Sequence, residues 1–289
     1  MNILVLGSSG LLGNAIFNFL SDDPNFVVHG SIRNSDDKFF FRANLCPNLH
    51  IVGSEFSDLN DLILTLRPAV VVNCIGVIKQ LEDSENPLVS IPINSLLPHQ
   101  LAKICKSIDA RLIHFSTDCV FSGSKGHYSD FDIPDARDIY GLSKYLGEVG
   151  SENCITLRTS IFGHELNSSK SLLSWFLSQS GRVPGFTKAI FSGLPTTEIA
   201  RVIQKYVLRN PKLSGVYNLS GPPISKYELL NICQAVYGRS IQIEADDGLV
   251  IDRSLNSASF QVAAGYKPQD MRSVVSDLRE NYKGWGFNV

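Results

Sequence analysis

None of the six cysteines (Cys46, Cys74, Cys105, Cys119, Cys154, Cys233) forms a Cys-x-x-Cys pair, and several sit in apolar runs. No metal site is expected from them, and they read as reduced, packed thiols of a cytoplasmic protein. No apolar run reaches the roughly 20 residues that cross a bilayer. Met1 leads straight into a core strand, which leaves no room for a signal peptide. Charge is also scarce: Asp, Glu, Lys and Arg make up 19% of 289 residues, with a net charge of −2. No general attraction to nucleic acid or to an anionic membrane follows. Internal repeats and low-complexity segments are missing too. What remains is an ordinary globular composition, long enough for one large α/β domain or one and a half.

The chain opens on Asn2-Ile3-Leu4-Val5-Leu6, a short apolar run that reads as a buried parallel strand. Gly7-Ser8-Ser9-Gly10-Leu11-Leu12-Gly13 follows, and then Leu11, Leu12, Ala15, Ile16, Phe19 and Leu20 recur at helical spacing. A glycine triplet between strand and helix is the arrangement that lets backbone approach a pyrophosphate at a helix N-terminus. The second strand, Phe26 to Ile32, ends without the acid that accepts from the ribose of NAD; Arg33 stands there instead and suits the 2′-phosphate of NADPH. Further strands are expected at Ile51 to Phe56, Ala69 to Gly76, Arg111 to Phe115 and Cys154 to Leu157, with helices at Leu59 to Leu66, about Asn94 to Ile108, and Ile139 to Val149. Strand and helix alternate as in a doubly wound parallel sheet, whose ligands bind at the carboxyl ends of the strands. Gly7, Arg33, Gly76, Thr117 and Arg158-Thr159-Ser160 all fall at such ends.

Of the nine tyrosines only Tyr140 has a lysine, Lys144, four residues on. On a helix that spacing puts both on one face, where an ammonium favours the phenolate and lowers the phenol pKa. A tyrosine so tuned serves as general acid or base. The hydroxyl of Thr117 is placed to hold the reacting oxygen.

From about Phe162 the alternation loosens. Ser171 to Leu177 reads as a helix, Arg182-Val183-Pro184-Gly185-Phe186 as a loop, Thr197 to Leu208 as a helix and Val216 to Leu219 as a strand. The expected fold is α/β, a Rossmann-type doubly wound parallel sheet with a smaller C-terminal α/β substrate lobe. The first domain takes residues 1–165 and 193–221, the second 166–192 and 222–289.

Several words of the sequence together resemble the extended short-chain dehydrogenase/reductase superfamily, and within it the nucleotide-sugar reductases around dTDP-4-dehydrorhamnose reductase. They are Gly7-x-x-Gly10-x-x-Gly13, Asn73-Cys74-Ile75-Gly76, Ser116-Thr117-Asp118-Cys119-Val120-Phe121, Tyr140-Gly141-x-Ser143-Lys144, Leu157-Arg158-Thr159-Ser160 and Gly193-Leu194-Pro195-Thr196. The resemblance implies Thr117, Tyr140 and Lys144 as the catalytic triad. It implies cofactor contacts at Gly7, Ser9, Gly10, Leu11, Leu12, Gly13, Arg33, Cys74, Ile75, Gly76, Tyr140 and Lys144, with Glu55-Phe56 in the place of an acidic-apolar pair at the adenine. Thr117, Asp118 and Ile161 would meet the substrate. The implied activity is NADPH-dependent reduction of a 4-keto(-6-deoxy) nucleotide sugar for polysaccharide precursors, with NAD as a second cofactor option, a nucleotide-sugar substrate, no nucleic-acid or membrane partner, and room for a homodimer. An NAD(P)-dependent nucleotide-sugar epimerase and a non-catalytic NADP-binding regulatory subunit are the alternatives. Two departures stand out. Cys119 occupies the position of the dehydratases' glutamate, and a neutral thiol is a poor acid for expelling hydroxide. Ile161 replaces the tryptophan that rhamnose-pathway reductases commonly carry beside the sugar.

Overall fold

The computed structural model describes residues 1–53, 55–80 and 82–289. Its elements run β1 (Asn2–Leu6), α1 (Leu11–Ser21), β2 (Val27–Ile32), β3 (Leu49–Ile51), α2 (Phe56–Leu66), β4 (Val70–Asn73), α3 (Pro87–Ser90), α4 (Leu97–Ser107), β5 (Arg111–Thr117), α5 (Ile139–Leu146), β6 (Cys154–Thr159), β7 (Ile161–Phe162) and α6 (Leu172–Ser178). They continue with β8 (Arg182–Phe186), β9 (Ala189–Phe191), β10 (Leu194–Pro195), α7 (Thr196–Val202), β11 (Gly215–Asn218), β12 (Ile224–Ser225), α8 (Lys226–Tyr237), β13 (Gln242–Asp246), β14 (Ile251–Asp252), α9 (Ala258–Ala264) and α10 (Met271–Gly284).

Seven strands form the central sheet in the order β11-β6-β5-β4-β1-β2-β3. Every neighbouring pair is parallel, so the expected doubly wound sheet is present. The strand order reverses between β1 and β4, the crevice where such sheets take ligands. The strands alternate between two cores. Ile3, Val5, Val70, Val72 and Ile113 pack on one face with Ile16, Phe17, Ile199 and Ile203. Leu4, Leu6, Val71 and Leu112 pack on the other with Ile63, Leu101 and Ile104. A strand buried on both faces is apolar at successive positions, which is why β1, β4 and β5 read as continuous apolar runs.

The structure moves several expected boundaries. The third strand ends at Ile51, because β2 ends at Ile32 and Ile51 is the last residue with a partner there; Phe56 already begins α2. Ser54, expected within that strand, lies outside the described residues. α-Helical structure begins at Pro87, before Asn94, and passes through a π-helical stretch, Ile91–Leu96, before α4. The helix of Tyr140 ends at Leu146 rather than Val149, since the chain at Gly147 runs against Asn94: a Cβ there would lie 1.9 Å from the Asn94 carbonyl oxygen. Arg182–Phe186 is a strand, paired among the described residues only with β13; a two-stranded edge position tolerates its Pro-Gly.

A third core gathers Phe162, Phe176, Leu229, Leu230, Val275, Leu278, Tyr282 and Trp285 from α6, α8 and α10 and their surroundings. We propose the two-lobe division expected from the sequence with one change. Phe260 and Tyr266, from the stretch assigned to the second lobe, pack into the first core beside Ile199 and Val207. No helix among the described residues is long and apolar enough to cross a membrane.

Candidate active site

The glycine turn after β1 is closed tightly on its neighbours. Gly7 has φ +75°, and a Cβ on Gly13 would stand 2.1 Å from the Gly7 carbonyl oxygen, so neither position takes a side chain without rebuilding the turn. The Gly7 N–H donates to Ser31 Oγ at 3.0 Å, tying the turn to the end of β2. Gly10 caps α1 without a side-chain hydrogen bond, which leaves the first N–H groups of the helix exposed to whatever lies above them. Ser9 and Leu11 are half-buried and Leu12 is buried. A Cβ on Gly7 would also touch Ile75 Cγ1 at 3.1 Å and the Cys74 carbonyl carbon at 3.3 Å, so the turn meets the end of β4 directly. Arg33 lies exposed just past β2, and exposed Glu55 caps α2 ahead of half-buried Phe56. Ile161 is half-buried and packs against the first core.

Lys144 stands between the end of β5 and the chain after β4. Its Nζ donates to the Phe115 carbonyl oxygen at 2.6 Å and would lie 3.9 Å from a Cβ on Gly76. Burial lowers its pKa to about 8, with Glu148 and Cys74 acting in the opposite direction. Thr117, the last residue of β5, donates its hydroxyl proton to Asp118 Oδ1 at 3.1 Å and accepts from the Cys119 N–H at 3.1 Å. Burial raises the Asp118 carboxyl, while Arg253, Thr117, Cys119 and Lys226 work to lower it. Burial, then Asp118, pushes the Cys119 thiol up to about 12, so it stays neutral.

Tyr140 is buried on α5 close to Thr117, Cys119 and Asp118, and its pKa is raised, first by burial, then by Cys119, with the neighbouring Thr117 hydroxyl offsetting part of the rise. The sequence implies a phenol made acidic by Lys144; in the chain as folded, desolvation dominates instead and the ammonium is engaged with the strand carbonyl. The structure therefore gathers Thr117, Asp118 and Tyr140 in one place, and Lys144, Cys74 and Gly76 beside it.

Two supports escaped the sequence. Asn94, in the π-helical stretch, accepts from the Val77 N–H at 2.9 Å and donates to Ser143 Oγ at 3.2 Å, linking the chain after β4 to the helix of Tyr140. Such stretches recur at functional sites. Glu148 accepts from Ser116 Oγ at 2.8 Å, and from Arg158 Nε at 2.8 Å and Nη2 at 2.7 Å. Both ends of that ion pair are buried, with side-chain exposures of 5% for Glu148 and 6% for Arg158. It pins the chain after α5 to β5 and β6 on either side of Thr117.

Residues 1–239 match the family described as the RmlD substrate binding domain. The chain belongs to that family. Among curated RmlD-like relatives, a probable low-salt glycan biosynthesis reductase of Haloferax volcanii is 30% identical over 149 residues, 51% of this chain and 48% of that protein. The chain thus spans about half the length of that relative. The methionine adenosyltransferase 2 subunit beta of Xenopus laevis is 25% identical over 248 residues, 78% of this chain and 69% of that one. Of solved structures, the dTDP-4-dehydrorhamnose reductase of Bacillus anthracis in complex with NADP shares the fold: TM-score 0.77 at 18% identity, covering 96% of this chain and 98% of that one.

Proposed function

We propose that the protein reduces a 4-keto(-6-deoxy) nucleotide sugar with NADPH, in the synthesis of polysaccharide precursors. One observation carries the reading: buried Tyr140 shares a strand-end site with Thr117, while buried Lys144 stands between that site and Gly76. The relatives support it, since two of the three just described are reductases by name.

The glycine turn fits a dinucleotide, because it leaves bare backbone where a Cβ would fill the turn and free N–H groups at the start of an eleven-residue helix. In this reading Gly7, Ser9, Gly10, Leu11, Leu12 and Gly13 hold the pyrophosphate, Arg33 the 2′-phosphate, Glu55 and Phe56 the adenine, and Cys74, Ile75, Gly76, Tyr140 and Lys144 the nicotinamide half. Bound there, NADPH supplies a hydride to the keto carbon. Tyr140 gives its proton to the oxygen of that carbon, and its raised pKa keeps the proton in place at neutral pH. Thr117 must turn its hydroxyl from Asp118 to donate to the same oxygen. Asp118 and Ile161 border the sugar. The homodimer belongs to the same proposal: Ile91 and Leu96 of the π-helical stretch and Leu142 and Leu146 of the adjoining α5 are exposed and offer it a surface.

Mixing the protein and NADPH with a panel of 4-keto nucleotide sugars, and following nicotinamide absorbance, tests the reading. At least one sugar is expected to oxidise the cofactor. Binding of NADPH without oxidation by any of them would favour the second reading, a non-catalytic NADP-binding subunit, for which the longer alignment with the Xenopus laevis subunit speaks. An epimerase that keeps NAD bound fits less well, since Arg33 and not an acid follows β2.

Arg33 carries its own expected result. NADPH should bind more tightly than NADH, and Arg33→Ala should remove most of the difference, on the order of 1–3 kcal/mol for a charge-assisted contact. Fluorescence titration of both cofactors measures it; equal affinities in the wild type would make Arg33 an ordinary surface residue.

A further inference from the structure

Asn73, the last residue of β4, lies across from His114 of β5 in the parallel register, with 3.1 Å between Asn73 Nδ2 and His114 Nδ1. Both residues are 1% exposed. The hydrogen bonds around them fix which atom does what. The Ile75 backbone N–H lies 3.1 Å from the other end of the Asn73 amide. A backbone N–H can only donate, so that end is Oδ1 and accepts. Nδ2 therefore faces the imidazole. As Nδ2 can only donate, His114 Nδ1 must accept, and the ring is neutral with its proton on Nε2. Burial, then Lys144 and His99, hold the His114 pKa well below the usual imidazole range, in keeping with a neutral ring.

That tautomer works against folding. Nε2 is buried with no hydrogen-bond partner among the described residues, and a buried donor without an acceptor is destabilising. A residue kept only for packing would avoid it. What the tautomer secures lies at the end of β4. With Nδ1 accepting, the Asn73 amide stands one way round and its Oδ1 holds the Ile75 N–H. With the proton on Nδ1 instead, the amide would turn and set Nδ2 against that N–H, donor facing donor. Ile75 in turn walls the glycine turn: a Cβ on Gly7 would lie 3.1 Å from Ile75 Cγ1 and 3.3 Å from its nitrogen. On the far side, a Cβ on Gly76 would lie 3.9 Å from Lys144 Nζ. The segment that His114 sets by way of Asn73 is thus the piece of chain between the glycine turn and Lys144.

We propose that His114 is a positioning residue for the cofactor: its Nδ1, through the Asn73 amide, fixes Ile75 and Gly76 against the glycine turn. This rests on the placement of NADPH at that turn and strand end. Nitrogen NMR of the histidine rings in the wild type reads the tautomer directly, and His114 should show Nδ1 without a proton at neutral pH. Fluorescence titration with NADPH reads the role. His114→Leu removes the acceptor and should weaken NADPH binding about three- to tenfold, the effect of losing one neutral hydrogen bond. His114→Asn puts its Oδ1 near the former Nδ1 and should bind within about twofold of wild type, a recovery that one restored hydrogen bond explains. Packing alone would rank the two the other way, since Leu fills the place of the ring better than Asn. His114→Gln, whose amide reaches toward the Nε2 position, should behave as His114→Leu does, and it takes the place of that variant if the Leu protein does not fold. Asn73→Ala should cost about as much as His114→Leu, and the double variant little more than either. A proton on Nδ1 in the wild type, wild-type NADPH affinity in both His114→Leu and His114→Gln, or His114→Asn binding no better than those two would each overturn the assignment. A wild type whose NADPH binding depends on His114 in this way, yet which oxidises the cofactor with no sugar, would instead overturn the reductase reading and leave the role of His114 standing.

Discussion

Tyr140→Phe is expected to lower turnover by about 10²–10⁴, the usual worth of a positioned general acid, while the NADPH dissociation constant barely moves. The substitution removes one hydroxyl from a buried ring and leaves the α5 backbone and its Asp138 cap unchanged. Lys144→Ala should differ in kind. It removes the donor to the Phe115 carbonyl and the charge beside Gly76, so cofactor affinity and turnover both fall. The two enzymes also separate by pH. Burial lowers Lys144 to about 8 in the free protein, and in the proposed mechanism its ammonium is the form that donates to the cofactor. Cofactor capture in the wild type is therefore full below about pH 8 and is lost as pH rises through it. Tyr140→Phe keeps that limb in kcat/KM for NADPH, and Lys144→Ala loses it. Near wild-type turnover by Tyr140→Phe on a confirmed substrate would sink the mechanism.

Glu148→Ala should be the most destabilising single change near the site. It strands the Arg158 guanidinium in the interior and leaves Ser116 Oγ without its acceptor. Breaking a buried pair from one side typically costs about 3–5 kcal/mol, read as a drop in the urea midpoint at constant slope. Replacing both partners, Glu148→Leu with Arg158→Met, should cost less than Glu148→Ala alone, because no charge is left behind. Glu148 also counters the effect of burial on Lys144. Any folded Glu148→Gln protein should thus bind NADPH more weakly at neutral pH, as its Lys144 loses its proton more readily. A Glu148→Ala protein as stable as wild type would show that water reaches the pair.

The central sheet was legible because β1, β4, β5 and β6 are apolar on both faces, and such strands announce themselves without periodicity. β3 was misplaced for the opposite reason: three residues at a sheet edge carry too little pattern, and Ile51-Val52 suggested a longer run than β2 has partners for. β8 was hidden by its Pro-Gly, which argues against a strand except at an edge. Within the proposed site, the glycine turn and the Tyr140–Lys144 pair were legible through local spacing. Asn94 was not, because its partners Val77 and Ser143 lie 17 and 49 residues away. The direction of the Tyr140 shift was also out of reach, since spacing reports the neighbouring lysine but not how deeply the ring is buried.

The path of the chain between β6 and β11 limits how this protein can be recombined with its relatives. After β6 the backbone builds β7 to β10 and α7 before laying β11 against β6, and it later returns Phe260 and Tyr266 to the first core. A fragment cut after residue 165 would expose the β6 edge and strip the sheet of its α7 cover. Swapping substrate range by grafting a C-terminal block from another reductase would therefore fail at the seam. The exchangeable parts are segments inserted between fixed strands, such as the Asp246–Ile251 connection that leads to Arg253, each entering and leaving through sheet positions that stay in place.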